Sequence, residues 1–166
     1  MKQFKHLLIM RHAKSSWKKS GTNDHDRPLN KRGKRDAPRM GELLIEKKRV
    51  PELILSSTAT RARSTASLVA EGADYDGVVE LDDNLYHPSV SNCIEVLRKL
   101  YYNYASILLV AHNPGMEELL LHFTGQYHFF PTATIAFVKL PLSSWRDLTM
   151  QTKGKLKNIW KPKDFA

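Results

Sequence analysis

The chain has 166 residues, 42% hydrophobic and 26% charged, which fits one globular domain and gives no reason to invoke disorder. No apolar run approaches the roughly 20 residues of a membrane span, and Leu7 to Met10 is too short for a signal-peptide core. A net charge of +9 points to anionic partners, whether phosphate esters, phosphoproteins or nucleic acid, without identifying a site.

Leu7-Leu8-Ile9-Met10 is a continuous apolar run ended by the polar segment Arg11 to Arg27, the pattern of a buried strand. Asn30 is placed to cap a helix running to about Lys48, with Met40, Leu43 and Leu44 at helical spacing on its inner face. Pro38 falls inside that stretch, where it would cost about 3 kcal/mol, so a kink or a restart at Ala37 is expected. Pro51 separates this helix from a second buried strand, Leu53 to Ser56. Thr58 or Ser57 is expected to cap the next helix, in which Ala62, Ala66 and Val69 share a face and Gly72 supplies the stop.

A short strand at Val78 to Leu81 precedes a helix from about Ser91, whose Cys93, Leu97, Leu100 and Tyr104 form an inward stripe. Cys93 is the lone cysteine and reads as a packing residue; with no internal disulfide to form, a reducing compartment, the cytoplasm, is expected. Ser106 to Ala111 is a third strongly apolar strand ending in His112, and Pro114 starts a helix with Met116, Leu119, Leu120 and Phe123 inward. Thr134 to Leu140 and Trp145 to Met150 are expected to complete the chain as mutually antiparallel strands. Two basic clusters, Lys31 to Arg39 and the tail Lys153, Lys155, Lys157, Lys161 and Lys163, read as solvated surface. The tail lacks an alternating aromatic platform for stacking bases, so nucleic acid is not the expected partner.

Alternating strands and helices imply one α/β domain over residues 1–166, three layers with helices on both faces of a mainly parallel sheet. Three polar clusters follow apolar strands directly. Ligands in such sheets lie beyond the carboxyl ends of the strands, so Arg11-His12, Ser57 to Arg61 and His112-Asn113 could converge.

The segments carrying the chemistry are Arg11-His12-Ala13-Lys14-Ser15, then Asp24-His25-Asp26-Arg27-Pro28-Leu29-Asn30 with Gly33, then Ser56-Ser57 with Arg61 and Thr65, then His112-Asn113-Pro114. Together, and in this order, they resemble the histidine phosphatase superfamily, with a phosphoglycerate mutase-like fold, and within it the small SixA-type phosphohistidine phosphatases. The resemblance covers the length of the chain. It implies a phosphatase in which His12 becomes phosphorylated and water then releases the phosphate.

The residue chemistry agrees. Neutral imidazole is a good nucleophile near neutral pH because its reference pKa is about 6.5. The transferring group spreads negative charge over its equatorial oxygens and needs positive donors already in place. Arg11, Arg61 and a protonated His112 are expected to supply them, and the helix beginning near Pro114 could add backbone N–H groups. With that charge provided, neither metal nor cofactor is expected, and the other histidines, His6, His25, His87, His122 and His128, show no close metal-ligand spacing.

Ser15 matches a position that often lies beside the phosphate pocket, as substrate contact or turn hydroxyl. Lys18 stands where mutase-like relatives frequently carry asparagine, which weakens a mutase reading, and Arg63 points to another side of its helix and reads as solvated. The proton donor is the open point. Asp82 to Pro88 shows no clear match to the acidic motif of larger members, so Asp24 is the expected acid with Asp26 as alternative, although either could simply pair with Arg27 or cap a loop. The expected substrate is a phosphorylated protein bearing phosphohistidine, the alternative being a small phosphate ester; a phosphate-binding module without turnover would not need the nucleophile.

Overall fold

The computed structural model describes residues 3–18 and 21–165. Met1, Lys2 and Ala166 at the ends of the expected domain, and Lys19 and Ser20 within the polar segment, lie outside the described residues. Six strands, β1 (Lys5–Arg11), β2 (Leu53–Ser57), β3 (Val79–Asp82), β4 (Ser106–Ala111), β5 (Ile135–Leu140) and β6 (Lys155–Trp160), form one sheet in the order β3-β2-β4-β1-β5-β6. The first four are mutually parallel, and β5 and β6 run antiparallel at one side. This is the α/β class expected from the alternation of elements.

Side-chain alternation on the strands splits the core in two. Leu7, Ile9, Leu55, Ile107 and Leu109 face α3 (Val90–Arg98) and α4 (Gly115–Thr124), packing on Cys93, Leu97, Met116 and Leu119. Leu8, Met10, Ile54, Leu108 and Val110 face α1 (Lys31–Glu46) and α2 (Thr60–Gly72), packing on Met40, Leu44, Ala66 and Val69. Central strands buried on both faces explain their unbroken apolar runs.

Several local expectations are corrected. Pro38 does not make α1 restart at Ala37: the helix runs continuously from Lys31 to Glu46, with Asn30 capping the Gly33 N–H at 2.9 Å. Packing against α2 outweighs the lost hydrogen bond. A Cβ on Gly41 would strike the Val69 carbonyl, and one on Gly72 the Pro38 carbonyl, so the two helices meet backbone to backbone. α2 ends at Gly72 as expected, and the same glycine also permits the close approach of the two helices.

Neither Thr58 nor Ser57 caps α2; Ala59 holds that place, while the Ser57 hydroxyl accepts from the Ala59 N–H at 3.1 Å. Ser89 caps α3 in a reciprocal box with Asn92, and the helix ends at Arg98, leaving Leu100 and Tyr104 to pack on the core from the following loop.

The last strand is misplaced in the sequence reading. Trp145–Asp147 is a 3-10 turn capped by Ser144, with the Trp145 indole N–H donating to the Tyr104 carbonyl at 2.7 Å. Strand β6 is instead drawn from the lysine-rich tail, with Trp160 buried and stacked on Phe137. Lysines on an exposed edge strand look like solvated coil to a composition-based reading, although edges favour such charges.

Candidate active site

The parallel register pairs Arg11 with Ala111, so β1 and β4 end side by side and release His12 and His112 at the same level. Their ring centroids lie 5.2 Å apart. The backbone around His12 is fixed from several directions. Its N–H donates to the Ala111 carbonyl at 3.0 Å, and the Ala13 N–H donates to the Thr65 hydroxyl at 2.9 Å, which in turn donates to the Arg61 carbonyl at 2.6 Å. The Lys14 carbonyl lies against Gly33 in the first turn of α1, where any Cβ would strike it.

His12 is 6% exposed. Its Nδ1 lies 2.7 Å from the Ala13 carbonyl oxygen. A carbonyl only accepts, so Nδ1 carries the proton and Nε2 of the neutral ring holds the free lone pair. Burial pushes the imidazole down to about 3, with the Ala13 carbonyl pulling upward and Arg61, Arg11 and Arg27 adding to the depression. The ring is thus neutral at neutral pH, with the Nε2 lone pair unprotonated.

Cationic side chains meet the histidines in a cavity of about 210 Å³, lined by Arg11, His12, Lys14, Ser15, Trp17, Arg27, Arg61, His87, His112, Asn113 and Thr132. Arg61, 3% exposed, is held by two bonds to Asp24, Nη1 to the backbone carbonyl at 2.6 Å and Nη2 to Oδ2 at 3.0 Å. Arg11 is held by the Phe130 carbonyl at 2.9 Å. Among the described residues, Arg11 Nε, Arg61 Nε and His112 Nδ1 are buried polar atoms without a hydrogen-bond partner, a concentration of unspent polarity that an anion could use.

His112 departs from the sequence reading. Its Nε2 lies 2.8 Å from the Ser57 hydroxyl, and burial, with His12, Arg61 and His87 adding to it against Asp24, depresses the ring to about 2. It is therefore neutral in the protein alone, not a standing cation, and a bound dianion is the species that could draw a proton onto it.

Asp24 also departs from its expected role. Burial alone would raise its carboxyl, but hydrogen bonds from Tyr86 and Arg61, the Arg61 charge and the Arg27 bond together hold it well below the usual carboxylate range. Tyr86 donates to Oδ2 at 2.5 Å and Arg27 Nε to Oδ1 at 3.2 Å. A carboxylate surrounded by three donors carries no proton near neutral pH, and its bonds hold the Arg61 guanidinium in place. The alternative, Asp26, has an exposed carboxylate 3.6 Å from His25 Nδ1 and does not line the cavity.

Ser15 does line it, and its hydroxyl accepts from Arg27 at 2.8 Å, leaving its own O–H free to donate. Arg63 lies outside the cavity and its Nη2 is 3.4 Å from Thr60 Oγ1 in the same helix. The helix-end contribution expected near Pro114 starts at Gly115, with Pro114 itself at the cap.

Sequence reasoning missed two contributors. The segment before β5 closes the cavity: Ala133, at φ 64°, donates its N–H to the carbonyls of Arg11 and His12 at 3.1 and 3.0 Å. No periodic pattern announces such a segment. The loop after β3 is the other. Tyr86 and His87 reach the site because β3 is a parallel strand ending at the same edge, so the strand-end rule applied to β1, β2 and β4 would have found them.

Residues 7–86 match the sequence model of the histidine phosphatase superfamily, branch 1. An uncharacterized chloroplastic protein of Arabidopsis thaliana is 32% identical over 152 residues, covering 85% of this chain and 69% of that protein. Among solved structures, one from Agrobacterium tumefaciens, assigned as the phosphohistidine phosphatase SixA, superposes with a TM-score of 0.76 at 26% identity over 95% of this chain and 99% of that one. The protein histidine phosphatase SixA complexed with tungstate gives a TM-score of 0.81 at 23% identity, covering 97% and 99%.

Proposed function

Because this chain belongs to the histidine phosphatase superfamily and is a phosphatase enzyme, we propose that it works without a metal ion through a phosphorylated His12 and acts on phosphohistidine of a protein. The observation that carries the reading is the tautomer of His12: Nδ1 bound to the Ala13 carbonyl, Nε2 free, in a cavity with Arg11, Arg61 and His112. Nε2 attacks phosphorus, the N–P bond forms as the bond to the leaving group breaks, and Arg11, Arg61 and His112 hold the equatorial oxygens. Water then attacks the phosphohistidine and the electron pair of the N–P bond returns to Nε2.

The positive charge a metal would supply comes from the arginines, and no group of three or more His, Cys, Asp and Glu among the described residues could hold a metal ion. Similarity to SixA proteins supports the protein substrate. So does the exposed rim, where Trp17 lies 3.4 Å beneath the Arg27 guanidinium and could meet a protein surface. We assign residues 1–166 to a single such domain. No described helix is long and apolar enough to cross a membrane, and we place the protein in the cytoplasm, where the lone, free Cys93 would stay reduced.

Acid-labile phosphate should be trapped on the wild-type enzyme during turnover. His12→Ala should abolish both trapping and hydrolysis while circular dichroism stays unchanged; labelling retained in that variant overturns the assignment. Turnover of a phosphohistidine carrier protein should exceed that of sugar and nucleotide phosphates under the same conditions, and the reverse ranking would favour a small phosphate ester as substrate. Exhaustive chelation should leave the rate unchanged.

A further inference from the structure

The cavity holds a third histidine that neither the nucleophile nor the anion clamp uses. His87 comes from the loop between β3 and α3, at the rim of the cavity that contains His12 and His112. Its ring centroid is 5.9 Å from that of His112 and 4.1 Å from Tyr86, on which it leans. Its Nε2 is 3.6 Å from Asp24 Oδ2, too long for a hydrogen bond but within close range of the carboxylate charge. The side chain is 61% exposed, so a substrate leaving group can reach it. Its backbone sits at φ 50°, in the left-handed region that histidine visits more readily than most residues.

We propose that His87 is the general acid and base of the reaction. The proposal rests on phosphoryl transfer to His12. In the first half-reaction the His87 imidazolium gives its Nε2 proton to the leaving-group atom as that atom's bond to phosphorus breaks and the His12 N–P bond forms. In the second, neutral His87 takes a proton from the attacking water as the P–O bond forms and the N–P bond breaks. Each cycle returns the proton, and no other reactant is required.

The other groups at this face do not serve. Asp24 is ionised, and the Tyr86 hydroxyl proton is committed to it. His112 is held neutral, with Nε2 engaged by Ser57. Asp82 and Asp83, near His87 in the same loop, accept from the Asn84 N–H and the Thr58 hydroxyl. Lys14 reaches the cavity, but an alkylammonium parts with its proton far less readily near neutral pH than an imidazolium does.

The test uses the full-length enzyme with His87→Asn and His87→Gly, both of which accept a positive φ, on phosphate monoesters of graded leaving-group pKa. General acid catalysis is worth about 100- to 10,000-fold. The expected result is therefore a loss of about 100-fold or more on alkyl phosphates, a few-fold at most on p-nitrophenyl phosphate, and partial rescue of His87→Gly by added imidazole. His12 should still be labelled from p-nitrophenyl phosphate in both variants. An equal loss across the series, or no loss, overturns the role of His87 even if His12 is labelled. Absence of labelling on His12 in the wild type would overturn the nucleophile reading instead, so the two failures are distinguishable.

Discussion

The two sides of the cavity are built differently. His12 leaves a central strand buried on both faces, and its backbone is tied to β4, α2, α1 and the segment before β5. The loop that carries Tyr86 and His87 follows an edge strand and reaches the site through side chains, Tyr86 on Asp24 and Thr58 on Asp83. Position is thus dictated by backbone hydrogen bonds and close packing on the His12 side, where, on the proposed mechanism, an error of an ångström would disable attack on phosphorus. On the other side it is negotiated among polar groups near solvent, where leaving groups of different shape must be met.

The sharpest way to break this contrast is at Gly33. A Cβ there would overlap the Lys14 carbonyl, which is backbone and cannot swing away. Gly33→Ala should displace the 11–15 segment and lower kcat by about 100-fold, the scale of an ångström-sized misplacement, on all substrates alike. Single-turnover labelling of His12 should slow by the same factor. A normal rate would mean that the segment yields easily and that its rigidity has been overstated.

Asp24→Asn probes the joint between the two sides. Asparagine keeps the shape but loses the charge that fixes Arg61 and faces His87. We expect about a 10-fold loss on p-nitrophenyl phosphate, of the order of a weakened charged hydrogen bond, together with weaker inhibition by inorganic phosphate. Alkyl phosphates should lose more. His87→Asn should spare the aryl substrate, so the aryl column separates orientation of the arginine from proton donation. An Asp24→Asn enzyme with unchanged aryl turnover and phosphate inhibition would remove Asp24 from the support of Arg61.

Legibility in the sequence follows the same division. Strands buried on both faces leave unbroken apolar runs, and an Arg-His pair at the end of one is visible because hydrophobicity changes within a single residue. Hence β1, β4, His12 and His112 could be placed from the sequence, as could Arg61 at the start of α2. The edge elements could not. β6 alternates lysine with apolar residues and resembles coil, Trp145 to Met150 resembles a strand but turns to satisfy its indole, and His87 sits in a loop without periodicity. The ionised state of Asp24 was also out of reach, since it depends on Tyr86, 62 residues away in the chain.

The smallest expected effect concerns stability, and it belongs to the strand-end side. His12 is held neutral in the folded protein, with its value depressed to about 3, and His112 likewise to about 2, whereas an unfolded histidine titrates near 6.5. Between those values the unfolded chain binds more protons than the folded one, so stability rises with pH across this window. The contribution is complete above about pH 6.5 and is lost progressively as the pH falls toward 3. Asp24, whose carboxyl is also depressed, adds loss only further into the acid range, below the ordinary carboxylate value of about 3.9. Between pH 6.5 and 5 the histidines should therefore dominate what these three groups contribute. The midpoint of thermal unfolding should fall by roughly 10 °C across that interval, corresponding to about 3 kcal/mol for the two imidazoles together. The double variant His12→Gln, His112→Gln cannot titrate there, and its unfolding midpoint should change less between the same two pH values. A slope as steep in the double variant as in the wild type would place the acid sensitivity outside the cavity and would mean that the buried imidazoles exchange protons with solvent more freely than their surroundings imply.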